Sequence, residues 1–408
     1  MDASATIDAD VVILGGGCAG VWLLDELRRR GARAVLLEAG RLGSGQTANS
    51  QGILHGGLKY SLAGIISPSA RMVRDMPAVW QASLAGRAEP DLSAVKLRGP
   101  WCHLWRSGSV TAWAAMLGAT MALAVKPVPL ADGELPPPLV ECPKPVYRLD
   151  EPVIDPLSFL EVMAARNRGL VWKIDAERGL RFENRLGHDE RTAVLVVHPE
   201  TGRTLRLLSR YLVLSAGEGN ARLREQLGLN GQVMQRRPLR VALVRGPLPQ
   251  LNGHCVEGTR TKVTITSAVD AHGRTVWQLG GQLSEDGVGM ETHAFLRHAR
   301  AELAAALSGW QAGEVEWTAY CLNRAEGFAG EGLLPSDVQI VRDGPVITAW
   351  PTKLVLAPRL GQRVLEIVGT LGGEDAQNWR RELAQQRWPA PAVACAPWEE
   401  ERRWSSDV

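Results

Sequence analysis

No two of the six cysteines (Cys18, Cys102, Cys142, Cys255, Cys321 and Cys395) form a C-x-x-C pair, and none lies in a histidine-rich stretch. This argues against a zinc site, an iron–sulfur cluster or a secreted disulfide framework, so no metal is expected. Scattered thiols suit a reducing compartment, and the expected location is cytoplasmic, with attachment to a membrane periphery left open. An excess of one charge is also missing: 46 Lys and Arg stand against 44 Asp and Glu. Composition therefore offers no argument for nucleic acid or an anionic membrane as partner. Long hydrophobic runs are absent too. Val110 to Val125 spans 16 uncharged residues, short of the ~20 a spanning helix needs, so it reads as a buried helix and no transmembrane segment is expected. Met1 to Ala9 carries Asp2 and Asp8 and no basic residue, unlike a signal peptide.

What is present is an ordinary composition, 45% hydrophobic and 22% charged over 408 residues, long enough for about two domains. The most informative stretch is Asp10 to Glu38. An apolar strand, Asp10-Val-Val-Ile-Leu14, runs into Gly15-x-Gly17-x-x-Gly20, then a helical run to Arg30, Gly31 and a second apolar strand ending on Glu38. Gly15 suits the tight turn out of the strand, Gly17 lets a pyrophosphate approach the backbone, and Gly20 lets helix and strand pack closely. The free N–H groups and dipole at the helix start favour that anion. A carboxylate at Glu38 suits the two hydroxyls of an adenosine ribose and disfavours the 2′-phosphate of NADP.

Beyond this unit, Ile66 to Leu84 reads as a helix with Met72, Val73, Met76, Val79 and Trp80 on one face. Pro127 to Pro145 holds seven prolines and reads as a connector. Asp155-Pro156 reads as the cap and first residue of another helix. Strands are expected at Val171–Ile174, Thr192–His198, Thr204–Ser215 and through Pro238–Leu283, and a helix at Glu291–Leu307. A closing strand Val346–Trp350 is followed by a turn and a helix from about Leu354 to Val368. From Glu374 onward, Trp379, Trp388, Trp398 and Trp404 accompany five arginines and seven acids. A polybasic membrane anchor needs an excess of positive charge, so this tail is expected to pack onto the body.

After Glu38 the chain does not continue through further βαβ units, as an NAD dehydrogenase usually would. It enters a small-residue segment, Gly43 to Gly57, suited to lying against a flat ring through its N–H groups. Here the sequence resembles the superfamily of D-amino-acid oxidase and the flavin-linked glycerol-3-phosphate dehydrogenases. The resemblance rests on the glycine fingerprint with Glu38, on His55-Gly56-Gly57-Leu58-Lys59-Tyr60, and on Ala216-Gly217 after a buried strand. Asn323-Arg324-Ala325-Glu326, Leu333-Leu334-Pro335-Ser336-Asp337 and Pro351-Thr352-Lys353-Leu354 then follow the family's order. Together these cover about residues 8 to 370. Two departures stand out: Trp350-Pro351-Thr352 replaces glycines usual in the closing turn, and the extra C-terminal domain of many glycerol-3-phosphate dehydrogenases does not follow residue ~370. Both put glycerol 3-phosphate itself in doubt.

The resemblance implies FAD, an α/β fold, and a two-domain flavoprotein with a Rossmann-like FAD-binding domain and a mostly antiparallel substrate-binding domain. Residues 1–75, 150–225 and 320–372 are expected to form the first and 76–149 and 226–319 the second, with 373–408 as a tail. The FAD contacts implied are Gly15, Gly17, Gly20, Glu38, Thr47, Asn49, Ser50, Gln51, Gly52, Leu54, Ala216, Gly217, Thr352, Lys353 and Leu354. Lys353 and the N–H groups of the turn would stabilise charge on a reduced flavin. Arg324 is the candidate anchor for an anionic substrate, with an ion pair to Glu326 as the alternative. Arg260 and Lys262 are weaker candidates. His55 is the candidate general base, whereas His254 reads as a surface or core residue.

The expected activity is hydride transfer from a CH–OH group of a small anionic substrate, a 2-hydroxy acid or polyol phosphate, to flavin. Oxidation of CH–NH in an amino acid or amine is the alternative on the same scaffold. A non-catalytic nucleotide-binding protein and an NAD dehydrogenase are the readings from other classes. The electron acceptor, whether oxygen, a quinone or an electron carrier, is left open.

Overall fold

The computed structural model describes residues 5–56, 73–107, 127–175, 177–183, 191–258, 260–311, 313–330, 333, 335–372 and 375–408. The start of the helix expected from Ile66, the run Val110–Val125, Gly57 to Tyr60 and Leu334 lie outside these residues. Among the described residues no helix is long and apolar enough to cross a membrane.

Two sheets organise the chain. The first has a parallel centre. Strand β1 (Thr6–Leu14) lies between β2 (Ala34–Glu38) and the strand Thr204–Leu214, with Val171–Lys173 outside β2 and Val346–Trp350 outside Thr204–Leu214. The carboxyl ends of the central strands read as apolar runs because both their faces are covered. Val11, Val12, Ile13, Val35, Leu36, Leu212 and Val213 are all buried. Antiparallel strands extend this sheet: Gln339–Asp343 at one edge, and Thr192–Val197 with Leu180–Phe182 against Thr204–Leu214.

One face of the sheet is covered by helix α1 (Cys18–Arg29), with the helices Ala357–Val368 and Pro156–Arg166 packed against it. Asp155 caps the latter, its Oδ1 accepting from Leu157 N at 2.8 Å and Ser158 N at 3.1 Å. Trp22 of α1 meets Trp80 at 4.8 Å and Phe159 at 6.3 Å between ring centroids, a tilted and a stacked contact. Trp80 belongs to the helix Met76–Leu84.

The second sheet is antiparallel except for one pair. Its order is Glu316–Gly327, Met234–Gly246, Thr275–Gly280, Arg260–Val269, Gly253–Glu257, Cys102–Arg106, Tyr147–Leu149 and Val128–Pro129. The parallel pair is Gly253–Glu257 with Cys102–Arg106. The helix Thr292–Ala306 packs on this sheet, capped by Glu291, and Phe295, Leu296 and Ala299 face the core there. The expected boundary at residue 320 falls inside the strand Glu316–Gly327. That strand stays on the antiparallel sheet for its full length because it pairs with Met234–Gly246 from Glu316 to Gly327.

The tail runs across both sheets. Trp379 Nε1 donates to Asp8 O at 2.5 Å, and Val393 bridges to Leu42. Trp404 lies under the guanidinium of Arg245, and Ser405 pairs with Trp317. Trp388 stacks on Trp172 at 4.7 Å and 10°, while its Nε1 donates to Lys173 O at 2.7 Å. Removing such a ring leaves a cavity that its neighbours only partly fill. Trp388→Ala is therefore expected to lower the unfolding free energy by about 3 kcal/mol, read as a shifted guanidinium midpoint. An unchanged midpoint would show that the tail adds nothing to the stability of the parallel sheet.

Candidate functional site

The parallel strands end together, and the site lies beyond their carboxyl ends, where an open α/β sheet leaves a crevice. Leu14 leads into Gly15, whose φ of +109° only glycine adopts without strain. A Cβ at Gly15 would stand 2.5 Å from Ser215 O, and one at Gly20 would stand 2.1 Å from Gly15 O. The two glycines thus let β1, α1 and the end of Thr204–Leu214 close on one another. Gly17 differs: an added Cβ would meet only Thr47 Oγ1, at 3.3 Å. It stands at the N-cap of α1, where it has no side chain to cap the helix, and it lines the cavity, as an anion-binding turn requires. At the tip of β2, Glu38 accepts from Gly16 N at 2.6 Å and Gly40 N at 2.5 Å. Each oxygen keeps a further lone pair.

The small-residue segment leaves β2 and crosses to the antiparallel sheet. Gly43 N donates to Gly16 O at 3.0 Å, and Thr47 Oγ1 accepts from Cys18 N at 3.0 Å. Gln51 Nε2 reaches Gln278 O at 2.9 Å and Thr264 O at 3.1 Å; Gln278 Nε2 returns a bond to Asn49 O at 2.8 Å. Gly52, at φ +76°, gives its carbonyl to Ile154 N. The segment is a stitched seam between the sheets, which accounts for the burial of Ile53 and Leu54.

A cavity of about 1020 Å³ opens along this seam. Its wall includes Gly15, Gly17, Glu38, Thr47, Asn49, Ser50, Gln51, Gly52, His55, Ala216, Gly217, Arg324, Thr352, Lys353 and Leu354. Gly20 and Leu54 are not part of the wall. Gly20 acts beneath the turn, and Leu54 points into the core of the parallel side while Ile53 faces the cavity. Arg260 lines the cavity, whereas Lys262 lies elsewhere, paired with Glu257 at 3.4 Å and Glu302 at 3.2 Å.

Arg324 and Glu326 share a face of their strand, yet the alternative pairing between them does not form. Glu326 is instead held by Arg237, at 3.0 Å and 3.1 Å. Among the described residues no acid stands within ion-pair distance of Arg324. Burial, and then the charge of Arg324, bring the Lys353 ammonium down to about 8. The other acids on the wall are engaged: Glu218 with Arg236, Glu285 and Glu326 with Arg237. The wall thus presents a net cationic corner.

The closing turn departs from expectation in one respect. The α-helix begins at Ala357, not Leu354, with a 3₁₀ turn at Leu354–Leu356 before it. Pro358 fixes the start of the helix proper. The Lys353 N–H turns back to Pro351 O at 2.6 Å, so it is engaged within the turn.

Sequence reasoning missed Glu151 and Gln278. Glu151 is fully buried behind His55, its Oε1 accepting from Gly56 N at 2.6 Å. Its local signal is slight, the second of two acids, Asp150 and Glu151, before Pro152. Gln278 stands out as an amide inside Val-Trp-Gln-Leu, a buried strand. His254 is a core histidine, fully buried beside His55.

The DAO family profile, described as FAD dependent oxidoreductase, matches residues 10–345. The chain is 35% identical over 399 residues to the probable FAD-dependent oxidoreductase PA4991 of Pseudomonas aeruginosa, covering 96% of this chain and 98% of that protein. The crystal structure of PA4991 superposes with a TM-score of 0.77 at 31% identity, over 98% and 99% of the two chains. Glycine oxidase from Geobacillus kaustophilus shares the fold with a TM-score of 0.61 at 18% identity, over 89% and 95%. Glycerol-3-phosphate dehydrogenase from Bacillus halodurans shares it at 0.53 and 15%, over 93% and 71%.

Thr352 sits at φ +60°, a left-handed conformation that a β-branched residue adopts at a cost. Its hydroxyl donates to Pro351 O at 2.6 Å. Thr352→Gly is expected to raise the unfolding free energy by about 1 kcal/mol, seen as a later thermal transition. An earlier transition would mean that the hydroxyl contact outweighs the backbone strain.

Proposed function

Since the chain belongs to the DAO family of FAD-dependent oxidoreductases, we propose that it oxidises a CH–OH group of a small anionic substrate. A 2-hydroxy acid or a polyol phosphate would fit. FAD supplies the acceptor for the substrate's hydride. The residues present suit that cofactor: Glu38 would take the adenosine ribose, Gly15, Gly17 and the start of α1 the pyrophosphate, and the seam from Thr47 to Gly52 the ring system. Ala216, Gly217 and the turn Thr352 to Leu354 would close the site from the other side.

The observation that carries the reading is the presence of His55, Arg324 and Lys353 on one cavity wall. Arg324 offers a planar fork of donors matched to a carboxylate or phosphate. Lys353 would add positive charge where a reduced flavin develops negative charge. An alcohol O–H is a weak acid and needs a base to take its proton as hydride leaves, a role His55 would fill. A second reading is CH–NH oxidation. An amino-acid carboxylate would suit Arg324 equally, and the fold is shared with glycine oxidase.

The test is anaerobic bleaching of the flavin absorbance near ~450 nm by hydroxy acids, polyol phosphates and D- and L-amino acids. Bleaching by hydroxy acids or polyol phosphates alone is expected; bleaching by amino acids alone sinks the CH–OH assignment. Arg324→Ala is expected to weaken binding of the reactive anion roughly tenfold to a hundredfold, the worth of a charge-assisted bond. An unchanged half-saturation concentration would remove Arg324 from the anion site.

Lys353 gives a pH signature. Its ammonium is charged below about 8 and neutral above. Anion affinity, followed as a spectral shift of the bound flavin, is expected to fall as pH rises through that value. Lys353→Met should flatten the profile, whereas a profile that keeps its shape in this variant would assign the titration to another group.

A further inference from the structure

Behind the cavity wall, a buried carboxylate joins two imidazoles. Glu151 lies in the turn between Tyr147–Leu149 and Val153–Ile154 and is fully buried. Its Oε1 accepts from Gly56 N at 2.6 Å. Its Oε2 faces His55 Nδ1 at 3.5 Å and His254 Nε2 at 3.7 Å. On the far side, His254 Nδ1 stands 2.9 Å from Thr264 Oγ1, and the two rings lie 5.4 Å apart. Of the three, only His55 lines the cavity.

An ionised carboxylate cannot stay this deep without a compensating charge. Burial pushes the Glu151 carboxyl up, but the two imidazoles facing it, His254 and then His55, outweigh burial and hold the group well below the usual carboxylate range. Nδ1 of His55 is turned to Glu151, and a carboxylate on one side of an imidazole fixes which nitrogen carries the proton.

We propose that Glu151 is a positioning residue for His55, and that His254–Glu151–His55 forms a buried relay ending at His55 Nε2. The proposal rests on the reading of His55 as base. In the step it serves, the substrate O–H bond breaks and its proton goes to His55 Nε2. The electron pair of the adjacent C–H leaves with its hydrogen as hydride to the flavin, and the carbonyl forms. The imidazolium is then stabilised by Glu151 across Nδ1–H. The three ligand atoms also lie within 4.8 Å of one another, a spacing compatible with a metal ion. Glu151 and His254 are sealed from the cavity, however, and Glu151 Oε1 is already taken by an amide.

The test uses the FAD-loaded protein with ¹⁵N-labelled histidine, its imidazole signals assigned through His55→Asn and His254→Asn. In Glu151→Gln, the His55 signals are expected to move from the Nδ1–H form to a mixture or to Nε2–H. This readout needs no substrate. In parallel, flavin reduction by lactate or glycerol 3-phosphate, whichever bleaches, is expected to slow at least roughly tenfold at saturation. Half-saturation and FAD content should not change, and Glu151→Asp should recover part of the rate. If Glu151→Gln does not fold, His254→Asn carries both measurements, with a smaller shift of the same kind.

Unchanged His55 signals in these variants would overturn the relay, as would a stoichiometric metal ion lost on any of the three substitutions. Full-rate reduction by His55→Asn would instead sink the base assignment, while the spectra still judge the coupling of Glu151 to His55.

Discussion

Backbone meets backbone at Gly15, and the site is placed by that contact. The end of β1, the carbonyl of Ser215 and the first turn of α1 approach so closely that a methyl group at Gly15 or Gly20 would overlap main-chain atoms. No rearrangement of side chains can relieve such an overlap, so the convergence is fixed before any ligand arrives. The crossing seam inherits its position from it, through Gly43 N to Gly16 O and Cys18 N to Thr47 Oγ1. Farther along, the side chains of Gln51 and Gln278 tie the seam to the antiparallel sheet. The seam thereby carries the tight turn's position from one sheet to the other.

The electrostatics follow a similar economy. Acids near the cavity are tied down locally: Glu38 by two amides, Glu218 by Arg236, Glu326 and Glu285 by Arg237. What remains at the cavity are Arg260, Arg324 and Lys353; burial first, and then the charge of Arg324, lower the affinity of Lys353 for its proton. Away from the site, the fully buried Asp25 is held by Arg28, Arg29 and Arg166. Burial raises its pKa, and these partners more than reverse the effect. In both places an isolated buried charge is avoided, and the side-chain partners are arginines.

Much of this could be read from the sequence where the signal is local. Turn, helix and acid between Asp10 and Glu38 obey short-range geometry, and so does the Asp155 cap. The strands of the parallel centre were legible from apolar ends such as Val11 to Leu14 and Leu212 to Leu214, while their arrangement was implied by the family resemblance. What escaped is long-range. Nothing in the spacing ties Glu151 to His55, since a turn between two short strands brings them together only in the folded chain. The choice between Ile53 and Leu54 as the wall residue also lacked a signal, because an irregular extended segment has no fixed alternation. The boundary placed at 320 followed the order of motifs, whereas the strand obeys its hydrogen-bond ladder with Met234–Gly246. The late start of the helix at Ala357 reflects a proline whose preferred place is the first turn.

The order of strands has a bearing on how the molecule is made. β1 and β2 leave the ribosome well before the neighbour that completes the pocket around Gly15, Thr204–Leu214, some two hundred residues later, and Val346–Trp350 later still. Residues 376–408 then bind Asp8, Leu42 and Trp317 in turn. During synthesis, the unpaired edge of β1 must wait for partners that do not yet exist, and partly made chains with exposed strand edges are prone to aggregate. Nascent chains halted before Thr204 therefore carry a bare strand edge, whatever the stability of the finished fold.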